Sequence, residues 1–343
     1  MLLRRLQVLL LCAAALLPGA AAKAADEVNV YSARHYDTDR QIYEAFTRET
    51  GLRVRLIEGD ADQLLARIAS EGANSPADVL ITVDAARLAR AREAGVLAPH
   101  GSARIAERVP SGLRDADGQW FAISQRARVI LFDRNRGAPD GLARYEDLAD
   151  PRFRGQICVR AAAHPYNVSL TASLLAANGP VATEAWARGI AANLARPPQG
   201  GDRDQFRALP SGQCRLAIAN TYYLAAIGAS PRAEDQALFQ RIGVIFPNQG
   251  AGDRGAHVNI SGAGLLRGAP NRAAAIRLLE YLTGPEAQRL LALGNLEYPV
   301  VADAETHPAL RAMGSYRGEP VQAADSATHA AQALQIMQRA GWR

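Results

Sequence analysis

The segment Phe121 to Asp133 reads FAISQRARVILFD, one extended run rich in Ile, Val and Phe that nevertheless carries Arg126 and Arg128. Its length lets it leave one sheet and enter another. A second extended run follows later, Arg241 to Pro247 and then His257 to Leu266, broken by the glycine-rich turn Gly250-Ala251-Gly252. Two long crossing segments bracket a second lobe. A mature chain of about 319 residues also exceeds one comfortable core, which makes two lobes the default.

The first part of the chain alternates short apolar runs with helical patterns. Val28 to Ser32 reads as a strand, and Asp37 is expected to cap a helix through Arg48 that Thr50-Gly51 ends. Val54 to Ile57 is a second strand, followed by an Asp60-capped helix with Leu64, Leu65 and Ile68 on one face. Asp78 to Val83 and Ala85 to Ala94 form the third pair. Three strand-helix units in succession argue a parallel α/β sheet. Beyond Asp133 the expectations are a strand at Ile157, helices over about Asn167 to Ala177 and around Trp186, a strand at Cys214, and a helix opened by Thr221-Tyr222-Tyr223. Helices near Arg272 to Leu282, Pro285 to Leu293 and about Thr328 to Ala340 complete the chain. The fold class is α/β, two lobes joined by hinge strands with a ligand cleft between them. The expected divisions are 25–125 plus 248–295 for lobe 1 and 126–247 plus 296–343 for lobe 2.

The leader, 1–24, reads as a secretory signal peptide: Arg4-Arg5, an apolar run from Leu6 to Leu17, and small residues ending in an A-x-A cleavage signal at Ala24. The apolar run is short for a membrane anchor, and no later stretch reaches about 18 apolar residues. The chain has 39 Lys+Arg against 34 Asp+Glu, and the leader holds Arg4, Arg5 and Lys23 with no acid, which leaves 36 against 34. So small an excess argues against a nucleic-acid partner. Removal of the leader takes Cys12 with it. Cys158 and Cys214 remain, each in a short apolar strand-like run, and two thiols in an oxidising compartment point to one disulfide. The alternative is two buried free thiols.

The rarer residue types carry the chemistry. Tyr222 and Tyr223 are adjacent where a strand ends and a helix begins, which is where α/β sheets place ligands. Tyr36 follows His35 at the end of the first strand. Tyr166 follows the second lobe's first strand, after His164-Pro165. Any one of these phenols alone reads as an ordinary half-buried aromatic with its hydroxyl in water; the set at strand ends reads as a site. Free phenol has a pKa of about 10, so ionising several near neutrality needs a strong Lewis acid, and hard oxygen donors suit ferric iron. The chain contains no HExxH, CxxC, EF-hand loop, P-loop or GxSxG. Nor is a nucleophile-base-orienter set legible, since Ser124, Ser169 and Ser261 lack a placed partner, and no enzymatic role is expected. His164 and His257 read as structural.

The leader together with VYSARHYDTD, SPADVLITVD, AISQRARVILFD, IANTYYL, HVNISGAGLL and LEYPV resembles the periplasmic ferric-ion-binding proteins of bacterial iron ABC transporters. The likeness runs in order over nearly the whole mature chain, and the paired tyrosine after an apolar strand is its most specific element. It implies a type II-like periplasmic binding fold, a monomer that closes two lobes on one Fe3+, and delivery to an inner-membrane permease. It also implies His35, Tyr36, Tyr166, Tyr222 and Tyr223 as metal ligands, with His35 either a ligand or a hydrogen-bond partner of a neighbouring phenolate. Where some members supply a glutamate, this chain has Val83, with Asp84 beside it. Three tyrosinates neutralise Fe3+ and a fourth leaves the site at −1, so Arg126 or Arg128 is expected to offset the excess or to hold a synergistic anion such as carbonate. The rival cargoes on the same scaffold, an oxyanion, a polyamine or a thiamine-like cation, call for helix N-termini or for aromatic stacking with carboxylates.

Overall fold

The computed structural model describes residues 26–34, 36–321 and 323–343. The expected leader and His35 lie outside the described residues. No described helix is long and apolar enough to cross a membrane.

Nine strands are described: β1 (Glu27–Ser32), β2 (Arg53–Glu58), β3 (Val79–Thr82), β4 (Leu97–Ala98), β5 (Trp120–Asp133), β6 (Ile157–Cys158), β7 (Leu216–Asn220), β8 (Ile242–Ile245) and β9 (Val258–Leu266). They form the path β2-β1-β3-β9-β5-β7-β6, with β4 added on β9 and β8 on β5. The three N-terminal strand-helix units appear as β1, β2 and β3, parallel to one another. Antiparallel β9 then closes this sheet against β3.

β5 is the crossing strand. Its residues from Trp120 to Ala127 pair with β9, and from Arg128 to Asp133 it pairs instead with β7 and β8. The change of partner falls between Ala127 and Arg128. Because strand side chains alternate, Val129 and Leu131 enter one second-lobe core with Phe206 and Ile242, while Ile130 enters another with Leu174, Trp186 and Trp342. The first lobe packs around Val30, Phe46, Ile81 and Phe121. β8 and β9 lie in the second and first sheets respectively, so the glycine-rich turn between them carries the chain back across.

Local expectations hold with adjustments. Asp60 caps its helix by accepting from the backbone N–H groups of Asp62 and Gln63. Asp37 does not cap the first helix: that helix is Asp39–Thr50 and Thr38 takes the position before it, without a side-chain bond to the helix backbone. The two helices expected around Asn167 and Trp186 are both present within the span Pro165–Ala192, separated at Gly179 (φ 76°), whose backbone is not helical, just before Pro180. Proline cannot donate to the preceding turn and crowds it, and the left-handed glycine absorbs the break. The last helix, Ala323–Arg339, packs against both Pro165–Ala192 and the first-lobe helix Ala85–Glu93, so it touches both lobes. Cys158 and Cys214 are joined as a disulfide with a Cα separation of 5.9 Å, fixing β6 to the entry of β7.

Candidate metal-binding site

The cleft between the lobes opens as a cavity of about 470 Å³, lined from one side by Tyr36 and Val83 and from the other by Tyr166, Tyr222 and Tyr223, with Arg126 at its base. Each tyrosine is placed by an element end. Tyr36 lies in the loop between β1 and helix Asp39–Thr50. Tyr166 occupies the first turn of Pro165–Ala192, and the Tyr222-Tyr223 pair the first turn of Thr221–Gly228, directly after β7.

The phenols converge. Tyr166 Oη lies 2.7 Å from Tyr222 Oη and 3.5 Å from Tyr223 Oη. The Tyr222 and Tyr223 rings are 4.2 Å apart, tilted by 32°. Guanidinium groups face the rings: Arg34 over Tyr36 at 4.6 Å, Arg160 over Tyr166 at 5.2 Å and Arg203 over Tyr223 at 5.7 Å. Burial, reinforced by Tyr223, pushes the Tyr166 phenol up to about 12. Burial also raises Tyr36, with Glu297 adding to the shift, and raises Tyr222, with Tyr166 adding. These phenols are therefore neutral in the metal-free protein. They become oxygen anions only when a cation compensates for their desolvation.

The two crossing-strand arginines separate in role. Arg126 is buried at the cleft floor, where it donates to the Val83 carbonyl and to Ser261 Oγ (3.4 Å). Arg128 is enclosed in the second lobe by Asp202 (3.2 Å), Asn220 (3.0 Å) and Asn167 (2.7 Å), and does not line the cleft cavity. It stands 5.7 Å from the Tyr166 ring, with Nη1 and Nη2 engaged by these three side chains and its buried Nε without a hydrogen-bond partner.

Val83 lines the cleft as expected, and Asp84 turns away to cap helix Ala85–Glu93 through Ala86 N–H (2.8 Å). His164 is structural: its Nδ1 accepts from Tyr166 N–H (3.3 Å) and its ring packs edge-on against Tyr166 at 4.4 Å. Burial and then Arg160 depress its pKa to about 4, so it is a neutral acceptor at neutral pH. His257 lies outside this cavity. Among the described residues no cluster of three or more His, Cys, Asp or Glu side chains is arranged to hold a metal.

Sequence reasoning missed the frame around the phenols. Glu297, fully buried, accepts from Ser124 Oγ (2.5 Å) and Arg34 Nη1 (3.2 Å) and lies 3.9 Å from Arg126. Arg34 is held on its other side by Asp39, at 2.8 and 3.0 Å. Arg34 adjoins the noted His35, and Glu297 sits inside the quoted LEYPV. Their pairing joins positions 263 residues apart, which no local pattern displays.

Two lobes with a tyrosine-lined cleft at strand ends are an architecture that suits a solute-binding protein. The chain matches the family of bacterial extracellular solute-binding proteins over residues 74–313 and belongs to it. Among its relatives, iron uptake protein A1 of Synechocystis is 45% identical over 317 residues, covering 92% of this chain and 88% of that protein. Of solved structures, a Trichodesmium protein described as in complex with iron and citrate ligands aligns with a TM-score of 0.86 at 46% identity, covering 92% of this chain and all of that one. A Bordetella ferric binding protein aligns at 0.85 and 38% identity, over 92% and 99%. The two-lobed, type II-like fold is that of these ferric-binding proteins.

Proposed function

We propose that this protein captures Fe3+ in the interlobe cleft through the phenolates of Tyr36, Tyr166, Tyr222 and Tyr223, and delivers it from the periplasm to an inner-membrane ABC permease. The observation that carries the reading is the gathering of the Tyr222 and Tyr223 phenol oxygens at 2.7 and 3.5 Å from that of Tyr166, opposite a fourth tyrosine from the other lobe. Ferric iron is the cargo that a set of hard, potentially anionic oxygens suits. Similarity to proteins named for iron uptake and ferric binding supports the same cargo and weighs against an oxyanion, polyamine or thiamine-like ligand.

In this reading His35 joins the phenols as a ligand or hydrogen-bond partner, and Arg126 offsets charge or holds an accompanying anion such as carbonate. The iron and citrate described for the Trichodesmium relative make a carboxylate the other anion to test. The protein acts as a monomer after cleavage near Ala24 and carries out no catalytic step. The lobes divide at 125/126, 247/248 and 295/296. Closure is driven by the metal because only the closed state brings both lobes' phenols to one ion.

The test is a visible absorption titration of metal-stripped protein with ferric citrate, beside a Tyr222→Phe/Tyr223→Phe double variant. A saturating one-to-one tyrosinate charge-transfer band in the wild type alone supports the assignment. A colourless wild type refutes the ferric reading.

A further inference from the structure

Behind the tyrosine cleft, a second group of buried polar side chains joins the lobes and has no part in the site described above. Asn259, on β9 in the first sheet, is fixed from the first-lobe side: its Oδ1 accepts from Ala85 N–H (3.1 Å) and its Nδ2 donates to Asp84 Oδ2 (2.9 Å). The same Nδ2 donates across the lobes to Ser169 Oγ at 3.0 Å. Ser169 lies on helix Pro165–Ala192, three residues after Tyr166, and so about one turn along the helix that presents that phenol.

Ser169 is oriented in turn from behind. Its Oγ meets His257 Nε2 at 3.0 Å, and His257 Nδ1 is hydrogen-bonded to Glu319. Glu319 also accepts from Ser173 Oγ at 2.8 Å and pairs with Arg254 at 3.1 Å. Ser169, His257 and Asn259 are each less than a tenth exposed. They face a cavity of about 230 Å³ distinct from the cleft, where water can take over their bonds when the lobes part.

We propose that the Asn259–Ser169 hydrogen bond, oriented by His257 and Glu319, is an interlobe latch that positions the Tyr166 helix against the first lobe and sets how readily the cleft opens. Asn259 is tied to the first lobe by two bonds, so its remaining N–H selects one setting of the second-lobe helix. The latch acts on the metal site through Tyr166 and touches no metal. Its kinetic consequence rests on the ferric reading above; its effect on lobe closure does not.

The experiment compares full-length mature protein with Ser169→Ala, Asn259→Ala and the double variant, each with the tyrosines intact. Small-angle scattering of the metal-free proteins reports the open fraction, and stopped-flow transfer of iron to excess chelator reports release. Loss of the latch is expected to expand the metal-free particle and to speed release roughly five- to tenfold, the factor corresponding to one net hydrogen bond. The double variant should exceed neither single by much, because the two side chains act through each other. The charge-transfer band should persist in all three. Unchanged scattering and unchanged release in both single variants would overturn the latch, even with a lowered melting temperature, since a bond that only supports the fold moves stability alone. If the wild type shows no ferric band, the iron reading fails and scattering of the metal-free proteins decides the latch by itself.

Discussion

Removing one phenol should change how steeply iron binding depends on pH, and the direction follows from the state of the empty site. Burial holds Tyr166 at about 12 and raises Tyr36 and Tyr222 above the ordinary phenol value, so these groups are protonated in the free protein throughout the physiological range. Ionising a phenol of pKa 12 at pH 7 costs about 7 kcal/mol, at 1.36 kcal/mol per unit. The metal has to offset that cost, and the proton leaves on binding. Affinity therefore rises with pH and falls as pH drops, with a slope equal to the number of protons displaced. Four tyrosinates give about four decades of affinity per pH unit, and Tyr222→Phe should reduce the slope by about one. The assay is competition against one fixed chelator between about pH 5.5 and 8. The chelator's own protonation and iron hydrolysis are common to both proteins and cancel in the difference. Identical slopes for wild type and Tyr222→Phe would refute ionisation of that phenol on binding.

Three further outcomes follow from the frame. Cys158→Ala/Cys214→Ala should lower unfolding free energy by roughly 4 kcal/mol, the loop-closure value for a separation of 56 residues; unfolding free energies extrapolated with each protein's own m-value would measure it, and a loss under about 1 kcal/mol would contradict that account. Glu297→Ala leaves buried Arg34 and Arg126 without their shared carboxylate and should destabilise by about 3 kcal/mol. Urea unfolding that places it within about 0.5 kcal/mol of wild type would show that Asp39 alone suffices for the pair. His164→Ala removes the acceptor for Tyr166 N–H at the start of Pro165–Ala192 and should cost about 1 kcal/mol by the same measurement. No loss would mean that the cap is dispensable.

What could be read from the sequence was local. The crossing strand was legible because thirteen extended residues exceed what one small sheet uses, and β5 does change partner within that run. Tyr166 and the Tyr222-Tyr223 pair were legible because strand ends and helix starts are visible in apolar patterning. The distinction between Arg126 and Arg128 was not. Two residues apart, they project to the same face of a strand, and what separates them is the change of sheet between them together with Asp202, Asn167 and Asn220 arriving from elsewhere in the chain. Glu297 was hidden for a related reason, as its worth lies in contacts with Ser124, Arg34 and Arg126 far away in sequence. The misplaced Asp37 cap has a smaller cause: any Asp, Thr or Ser near a helix start satisfies the pattern, and here Thr38 stands one residue nearer.

The arginines around the cleft bear on which oxidation state the closed protein holds. Arg34, Arg126, Arg128, Arg160 and Arg203 surround the phenols, while the nearby carboxylates are Asp37, Asp39, Asp202 and Glu297. Five cations against four anions leave one positive charge in excess. With neutral phenols that excess repels an incoming cation, so capture requires the protons to leave as the metal arrives. Four tyrosinates on Fe3+ carry one negative charge and cancel the excess, and the lobes then close over a neutral centre, which costs least to bury. The same ligands on Fe2+ carry one more negative charge than their surroundings balance. With the proposed four-phenolate site, reduction would therefore work against the closed state twice, through weaker phenolate bonds and through an unbalanced buried charge, and would offer a release route that leaves the tyrosine frame itself unchanged.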